Sequence, residues 1–208
     1  MTSLPPFECL TDTDAKAKAI LEGSCIESDV TSGPELLDAW IASRKFIVGA
    51  IDGPGTILDY GCANGYLLRC LMEWVPHELV PFGVDINEVR LRQAKRLLAG
   101  FEHNLTNEAR RNTQIQPVGY DFVYWAIGDN VDFVHPENHR WLSEVEQLVA
   151  HGGRLIVGLY GDRSLNARRL VELQQAGRSI DGIIYNDRGP ESLVWFDQSS
   201  DEQCSNRP

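Results

Sequence analysis

The sequence predicts an α/β protein in which a doubly wound, mostly parallel sheet carries helices on both faces. Residues 57–71 (ILDYGCANGYLLRCL) indicate a short strand, a turn of small residues and an amphipathic helix, which form the first unit of such a fold. Strand-like and helix-like segments then alternate as far as residue 176. Two strand-like segments with a short link follow, and so short a link requires them to be antiparallel.

Length, composition and charge limit the class of protein. The 208 residues suit one α/β domain with a modest extension, and 43% hydrophobic residues are enough for one full core. The formal net charge of −11 repels phosphate backbones and therefore predicts no general nucleic-acid partner. Four arginines close together in sequence are interpreted as a solvated helix face, with a local basic patch as the alternative: Arg163, Arg168, Arg169 and Arg178.

Cysteine usage and hydropathy predict a cytoplasmic protein without a membrane partner. The five cysteines are odd in number and contain no C-x-x-C pair, so neither a disulfide framework nor a metal site is predicted. No apolar run approaches the ~20 residues of a membrane-spanning helix. The first ten residues lack the positive segment and the apolar core of a signal peptide. The sequence does not indicate the oligomeric state.

Residues 1–52 are predicted to form a helical extension. A short helix is predicted at 12–21, and Pro34 begins a clearer one, because proline suits the first helical turn. Apolar residues recur at helical spacing from there to Ile47. The main domain is predicted over residues 53–197, followed by a polar tail at 198–208.

The turn after the first strand distinguishes between nucleotide ligands. The dinucleotide pattern G-x-G-x-x-G would require glycines where Gly61, Ala63 and Tyr66 stand. The pattern D-x-G-x-A-x-G, from Asp59 to Gly65, fits better. It resembles motif I of class I S-adenosylmethionine (SAM) dependent methyltransferases, with alanine in place of the commoner second glycine. An acid at the strand end suits a ligand that has an amino group and no pyrophosphate.

A second acid follows the next predicted strand. Residues 81–86 form that strand, and Asp85 lies twenty residues after Gly65. A carboxylate at this point of the fold can accept both hydroxyls of a ribose. The alternative is that Asp85 only caps the helix predicted at 87–98.

The remaining elements follow from apolar spacing and from Gly and Pro breaks. In chain order they are a strand at 103–106, a strand at 120–126, a helix at 137–149, a break at 151–153, a strand at 154–160, a helix at 165–176, and strands at 180–186 and 193–197. The fourth strand resembles the family's F-D-x-V segment, and the fifth strand with its Gly-Gly break resembles the family's P-G-G-x-L segment. The reversed last strand also resembles the methyltransferase fold.

The resemblance covers about residues 57–197 and implies SAM as cofactor, with S-adenosylhomocysteine as product. The cofactor would lie across the carboxyl ends of strands one, two and four, and the helical extension of residues 1–52 would cover this site. The implied cofactor-binding residues are Arg44, Asp59, Gly61, Cys62, Ala63, Asn64, Gly65, Asp85, Ile86, Asn107, Glu108, Trp125 and Ala126. Among these, Arg44 would pair with the methionine carboxylate or is a surface arginine. Asn107 or Glu108 would face the adenine or belong to a polar loop.

The expected reaction is methyl transfer to an oxygen or nitrogen atom of a small molecule. Residues 125–128 (WAIG) replace the N-P-P-Y-like tetrad of amino-methylating nucleic-acid enzymes, and the acidic charge agrees with that absence. The alternatives are an RNA or protein methyltransferase and a non-catalytic SAM-binding subunit. His135, after strand four, is the candidate general base, and Tyr160, at the end of strand five, is the candidate orienting group. Alternatively, His135 is only a loop residue before a helix.

Overall fold

A computed structural model describes residues 34–108 and 119–199. The helix predicted at 12–21 lies outside these residues. The helices are α1 Pro34–Ala42, α2 Tyr66–Trp74, α3 Glu88–Leu97, α4 Pro136–Glu146 and α5 Arg163–Gln175, with short 3-10 helices at Lys45–Ala50 and Glu102–Asn104. The strands are β1 Gly55–Tyr60, β2 Leu79–Val84, β3 Leu105–Thr106, β4 Tyr120–Ile127, β5 Val149–Leu159, β6 Gly182–Tyr185 and β7 Ser192–Asp197.

The strands form one seven-stranded sheet in the order β3-β2-β1-β4-β5-β7-β6. β7 is antiparallel to both β5 and β6, and the other neighbouring pairs are parallel. The predicted doubly wound, mostly parallel sheet with an antiparallel last strand is confirmed. The carboxyl ends of β1, β2, β4 and β5 therefore meet along one edge, where ligands bind in open α/β sheets.

Helices cover both faces of the central strands, so alternate residues of each strand enter two different cores. Along β4, Phe122 and Tyr124 pack into the core beneath α2, α3 and the first 3-10 helix. Val123 and Trp125 enter the core beneath α4 and α5. Central strands buried on both faces are typical of parallel sheets, which explains the almost continuous apolar sequence of β4.

The predicted apolar stripe from Pro34 to Ile47 belongs to two helices rather than one. α1 ends at Ala42, where the Ser43 hydroxyl donates to the Trp40 carbonyl over 2.8 Å. The chain resumes as a 3-10 helix in which Ile47 is fully buried. A serine hydroxyl that satisfies a carbonyl of the last turn competes with continuation of the helix.

The break predicted at residues 151–153 is wrong, because β5 continues through it. β5 pairs with β4 on both sides of an irregularity, with Tyr120 opposite Val149 and Phe122 opposite Arg154. Gly152 lies at the irregularity with φ of +74°, which favours glycine. The pairing of Val149 with β4 also ends α4 at Glu146, earlier than predicted.

Candidate active site

The turn between β1 and α2 is held closed by the end of β2. The backbone N–H groups of Gly61 and Cys62 both donate to the Val84 carbonyl over 2.8 Å. Gly65 closes the turn by donating to the Cys62 carbonyl, also over 2.8 Å. Gly61, Ala63 and Gly65 have positive φ values of 92°, 48° and 74°. A chain that turns this tightly needs small residues, which explains the pattern found in the sequence.

Asp85 joins this turn to the start of α3. Its Oδ2 accepts the Ala63 N–H over 2.8 Å, and its Oδ1 accepts the Asn87 N–H over 2.7 Å. The helix cap itself is Asn87, whose Oδ1 accepts from Val89 and Arg90. The alternative that Asp85 caps the helix is therefore wrong. Each carboxylate oxygen can accept a second hydrogen bond, so Asp85 retains capacity for a ligand.

A row of polar side chains continues from β1 across β4 to β5. Asp59 and Tyr124 are register partners in neighbouring parallel strands and therefore share one face. The Tyr124 and Tyr160 hydroxyls are 2.8 Å apart. Gly158 makes room for this pair, since a Cβ there would lie 2.6 Å from the Tyr124 hydroxyl. The guanidinium carbon of Arg44 lies 3.9 Å from the centroid of the Tyr160 ring, which is a cation–π contact.

Burial changes the acidity of this row. Burial raises the pKa of the Asp59 carboxyl to about 7, the nearby Asp85 carboxylate adds to the rise, and Arg44 opposes it. Burial also raises the pKa of Tyr124 well above its ordinary value and raises that of Tyr160, with Arg44 again opposing. Asp59 is therefore a carboxyl group that changes protonation state near neutral pH.

Comparison with known proteins assigns a family to this arrangement. The model of a family described as a methyltransferase domain matches residues 57–153, from the middle of β1 to the bulge in β5. Residues 57–153 match a methyltransferase domain, and the sheet that contains them has the class I SAM-dependent methyltransferase fold. The predicted cofactor, SAM, agrees with this match. A sequence search of curated proteins gives no significant match.

Solved structures agree with the methyltransferase fold. An S-adenosylmethionine dependent methyltransferase from Mesorhizobium loti has a TM-score of 0.51 at 16% identity, covering 75% of this chain and 98% of its own. The mitomycin 7-O-methyltransferase MmcR has a TM-score of 0.54 at 15% identity, covering 94% and 61%. The ribosomal protein L11 methylase from Lactobacillus delbrueckii subsp. bulgaricus has a TM-score of 0.50 at 12% identity, covering 81% of each chain. At these identities the likeness concerns the fold alone.

The other predicted cofactor residues of the methyltransferase domain differ in their exposure to solvent. Ile86 is 92% exposed directly after Asp85. Asn107 and Glu108 are exposed immediately after β3, and Ala126 is exposed near the end of β4. Cys62 and Asn64 are buried within the turn.

Trp125 lies on the other face of the sheet from Asp59 and Tyr124. It is 3% exposed, and its ring centroid is 4.8 Å from that of Trp141 in α4. Trp125 is therefore a core residue on the opposite face of the sheet, and it does not line the site as predicted.

The two predicted catalytic residues are in different surroundings. His135 is the N-cap residue of α4, and its side chain is 60% exposed. Its Nδ1 lies 2.7 Å from Asp132 Oδ1, and this contact raises the pKa of the imidazole. Tyr160 is half-buried and pairs with Tyr124. Within residues 34–108 and 119–199, no hydrogen bond joins His135 to Tyr160.

Two buried charges of α5 fix the loop that carries His135. Arg169 is fully buried and donates to the Val131 carbonyl over 2.8 Å and to the Gly128 carbonyl. Glu172 Oε2 accepts the Phe133 N–H over 2.9 Å. The interpretation of Arg169 as part of a solvated helix face is wrong, because the carbonyls of this loop need its donors once they are buried.

The sequence prediction missed Tyr124, Arg169 and Glu172. A tyrosine within an apolar strand gives one usable signal, because its buried hydroxyl needs a partner. The charged residues of α5 give no such signal in the sequence, since a helix with scattered arginines has the pattern of an exposed helix.

No group of His, Cys, Asp and Glu suited to a metal ion occurs among the described residues. The same part of the chain contains no helix with the length and apolar character required to cross a membrane.

Replacing Asp59 with asparagine is expected to make the free energy of unfolding less dependent on pH. The folded-state pKa of about 7 lies above the ordinary value of 3.8, so the folded state binds this proton more tightly than the unfolded chain. The wild type therefore loses stability relative to the variant as pH rises between those two values. Melting temperatures of both proteins at about pH 5 and about pH 8 measure the difference, which should be several degrees.

Asp187→Asn removes an exposed carboxylate from the β6–β7 connection and serves as the matched control. Parallel pH profiles for the wild type and Asp59→Asn would contradict the elevated pKa.

Proposed function

We propose that this methyltransferase transfers the methyl group of SAM to an oxygen or nitrogen atom of a small molecule. The observation that carries the proposal is the position of Arg44, which stacks on Tyr160 above the polar row. A side chain this close to the strand ends leaves room for a small acceptor rather than for a folded macromolecule. The net charge of −11 also disfavours RNA.

The turn and its acids fit the proposed cofactor. A Cβ at Gly61 would meet no atom within 4 Å, so the space beside the turn is open to a ligand. Asp85 would accept the ribose hydroxyls with its remaining lone pairs, while staying bonded to Ala63. Ile86, at 92% exposure, would lie against the adenine. Two carboxyl groups at this edge suit a ribose and an amino group better than a pyrophosphate.

Arg44 and Asp59 would recognise the methionine end. Within the described residues, the hydrogen bonds of Arg44 go only to Ser43, so its charge is available for a carboxylate. Asp59 would become ionised next to a cationic amino group, because an opposite charge favours the charged form. Asn107 or Glu108 would lie near the adenine. Cys62, Ala63, Asn64 and Gly65 would shape the turn beneath the ligand, with Ala126 beside it.

When bound, SAM supplies a methyl group that the sulfonium already activates, so the chain mainly has to align the acceptor and exclude water. A base is needed for a hydroxyl or a protonated amine. His135 would take that proton, with Asp132 orienting the ring and stabilising the imidazolium. Tyr160 would orient the acceptor through its hydroxyl, which Tyr124 holds in place.

The first expected result concerns cofactor binding. Isothermal titration calorimetry should detect S-adenosylhomocysteine and no NAD, and Asp85→Ala should weaken binding by about 1.5–3 kcal/mol by removing charge-assisted hydrogen bonds. Glu78→Ala, which removes an exposed carboxylate beyond the opposite end of β2, is the control. Binding of NAD alone would contradict the cofactor, and unchanged affinity in Asp85→Ala would leave Asp85 as a brace of the turn.

The acceptor class is tested with methyl-labelled SAM. The wild type is incubated separately with a small-molecule extract, with total RNA and with a protein lysate. Label should enter the small-molecule fraction, since the acidic surface repels RNA and Arg44 restricts access. Label in RNA or in protein would replace the small-molecule proposal with the corresponding alternative. Binding of SAM without transfer in any fraction would favour a non-catalytic subunit.

The last expected result concerns the base. His135→Ala should lower turnover by about 10²–10⁴-fold and leave the affinity for S-adenosylhomocysteine unchanged. In the wild type the rate should rise with pH through the pKa of His135, which Asp132 holds above its ordinary value of 6.5. The variant should lose this acid limb. His151→Ala, at an exposed position of the β5 bulge, is the control. Turnover within a few-fold of wild type would mean that alignment alone carries the reaction.

A further inference from the structure

The antiparallel strand β7 places a carboxylate beside Tyr160. Leu159 of β5 is the register partner of Ser192 in β7, and extension of this register by one residue brings Glu191 opposite Tyr160. Side chains alternate between faces along a strand. Leu193 packs into the core on the Tyr124 face, so Glu191 points to that face as well. Electrostatic repulsion from Glu191 contributes to the raised pKa of Tyr160, in agreement with this placement.

The β6–β7 turn holds this carboxylate in a fixed position. Asn186, which is 6% exposed, donates from Nδ2 to Glu191 Oε2 over 2.8 Å and from its backbone N–H to the Glu191 carbonyl over 2.9 Å. Asn186 is itself oriented by the Arg188 N–H, which donates to its Oδ1 over 3.1 Å. A Cβ at Gly189 would collide with Glu191 Oε2, so glycine is needed for the carboxylate to occupy this place.

The turn is also anchored to the rest of the domain. Asn166 of α5, which is 3% exposed, donates from Nδ2 to the Pro190 carbonyl over 2.9 Å and to the Leu159 carbonyl over 3.1 Å. One buried amide thus joins the end of β5 to the residue before Glu191. The carboxylate is half-buried. Its Oε1 accepts no hydrogen bond from residues 34–108 and 119–199.

The position of Glu191 along the sheet edge separates it from the cofactor turn. The turn lies at the ends of β1 and β2, whereas the polar row runs from Asp59 through Tyr124 and Tyr160 towards β7. Glu191 therefore lies on the far side of Tyr160 from the turn. A half-buried carboxylate with a free oxygen favours hydrogen-bond donors and cations, and it disfavours anions.

We propose that Glu191, held by Asn186, forms with Tyr160 the acceptor-binding end of the site, and that it selects acceptors carrying a hydrogen-bond donor, an amine or a hydroxyl, over carboxylic acids. This inference rests on the proposed small-molecule reaction. It adds the chemical class of the acceptor and the residue that selects it.

The test uses the full chain loaded with S-adenosylhomocysteine and a panel of matched amines, alcohols and carboxylic acids that share the same aromatic or aliphatic body. Dissociation constants are measured by ligand-observed NMR. In the wild type, amines and alcohols should bind at least about tenfold more tightly than the matched acids. Glu191→Gln should weaken amine binding about tenfold, weaken alcohol binding less, and admit the acids. Its affinity for S-adenosylhomocysteine should be unchanged.

Glu144→Gln, an equal charge change at an exposed position of α4, is the control and should keep the wild-type ranking. If Glu191→Gln has a lowered melting temperature, Glu191→Asp is used in its place, because it keeps the charge on a shorter side chain. This variant should lose affinity for amines while still rejecting carboxylic acids. An identical ranking in the wild type and Glu191→Gln would overturn the proposal, as would a wild type that prefers no amine or alcohol. Failure to bind S-adenosylhomocysteine would instead contradict the proposed function. The two failures can be distinguished, because binding of the panel can also be measured in the absence of S-adenosylhomocysteine.

Discussion

The Asp85 carboxylate fastens the turn after β1 to the start of α3, and the geometry of the candidate site depends on this link. One oxygen accepts the Ala63 N–H and the other accepts the Asn87 N–H. The Val84 carbonyl, one residue earlier, accepts from both Gly61 and Cys62. The turn after β1 is thus hydrogen-bonded to the end of β2. A turn with three residues at positive φ would otherwise have many conformations to lose on folding.

The link also concentrates negative charge in a buried place. Asp59 and Asp85 lie close enough for the second to raise the pKa of the first, and burial raises it further. A protein that binds only neutral ligands would gain nothing from two buried carboxyl groups, which cost free energy unless they are paired. Arg44 partly offsets the charge from above the sheet. This charge favours a ligand with hydroxyl and amino donors, in agreement with the proposal that these residues bind SAM.

The proposed reaction end of the site, at Tyr160 and the loop after β4, depends on contacts between distant parts of the chain. Arg169 and Glu172 of α5 reach back to the loop after β4, and Asn166 of the same helix fixes the β6–β7 turn. One helix thereby positions both flanks of Tyr160. The helix has no strong apolar stripe because three of its inward residues are polar. Buried polar networks of this kind fix one arrangement, since each unmade bond would be costly.

Sequence patterns predicted the fold class, the family and the cofactor, and the structure and comparisons confirm them. The strand, turn and helix predicted from residues 57–71 are observed as β1, its turn and α2. The predictions failed where one local sequence pattern is compatible with two different structures. A Gly-Gly pair fits a bulge inside β5 as well as a break, and only pairing with β4 decides between them. An apolar stripe past Ala42 fits a longer α1 as well as the separate 3-10 helix that is observed.

The sequence by itself determined the strand–turn–helix unit, its acids at positions 59 and 85, and the reversed last strand, because each depends on local stereochemistry and on periodicity over a few residues. Only the tertiary structure decided that the Tyr124 and Tyr160 hydroxyls form a hydrogen bond, that Trp125 lies on the opposite face of the sheet and that Arg169 is buried. It also decided that Leu159 pairs with Ser192, the residue after Glu191. These facts depend on strand order and register. Register is set when strands distant in sequence bury their faces together, and no local pattern encodes which residues then become neighbours.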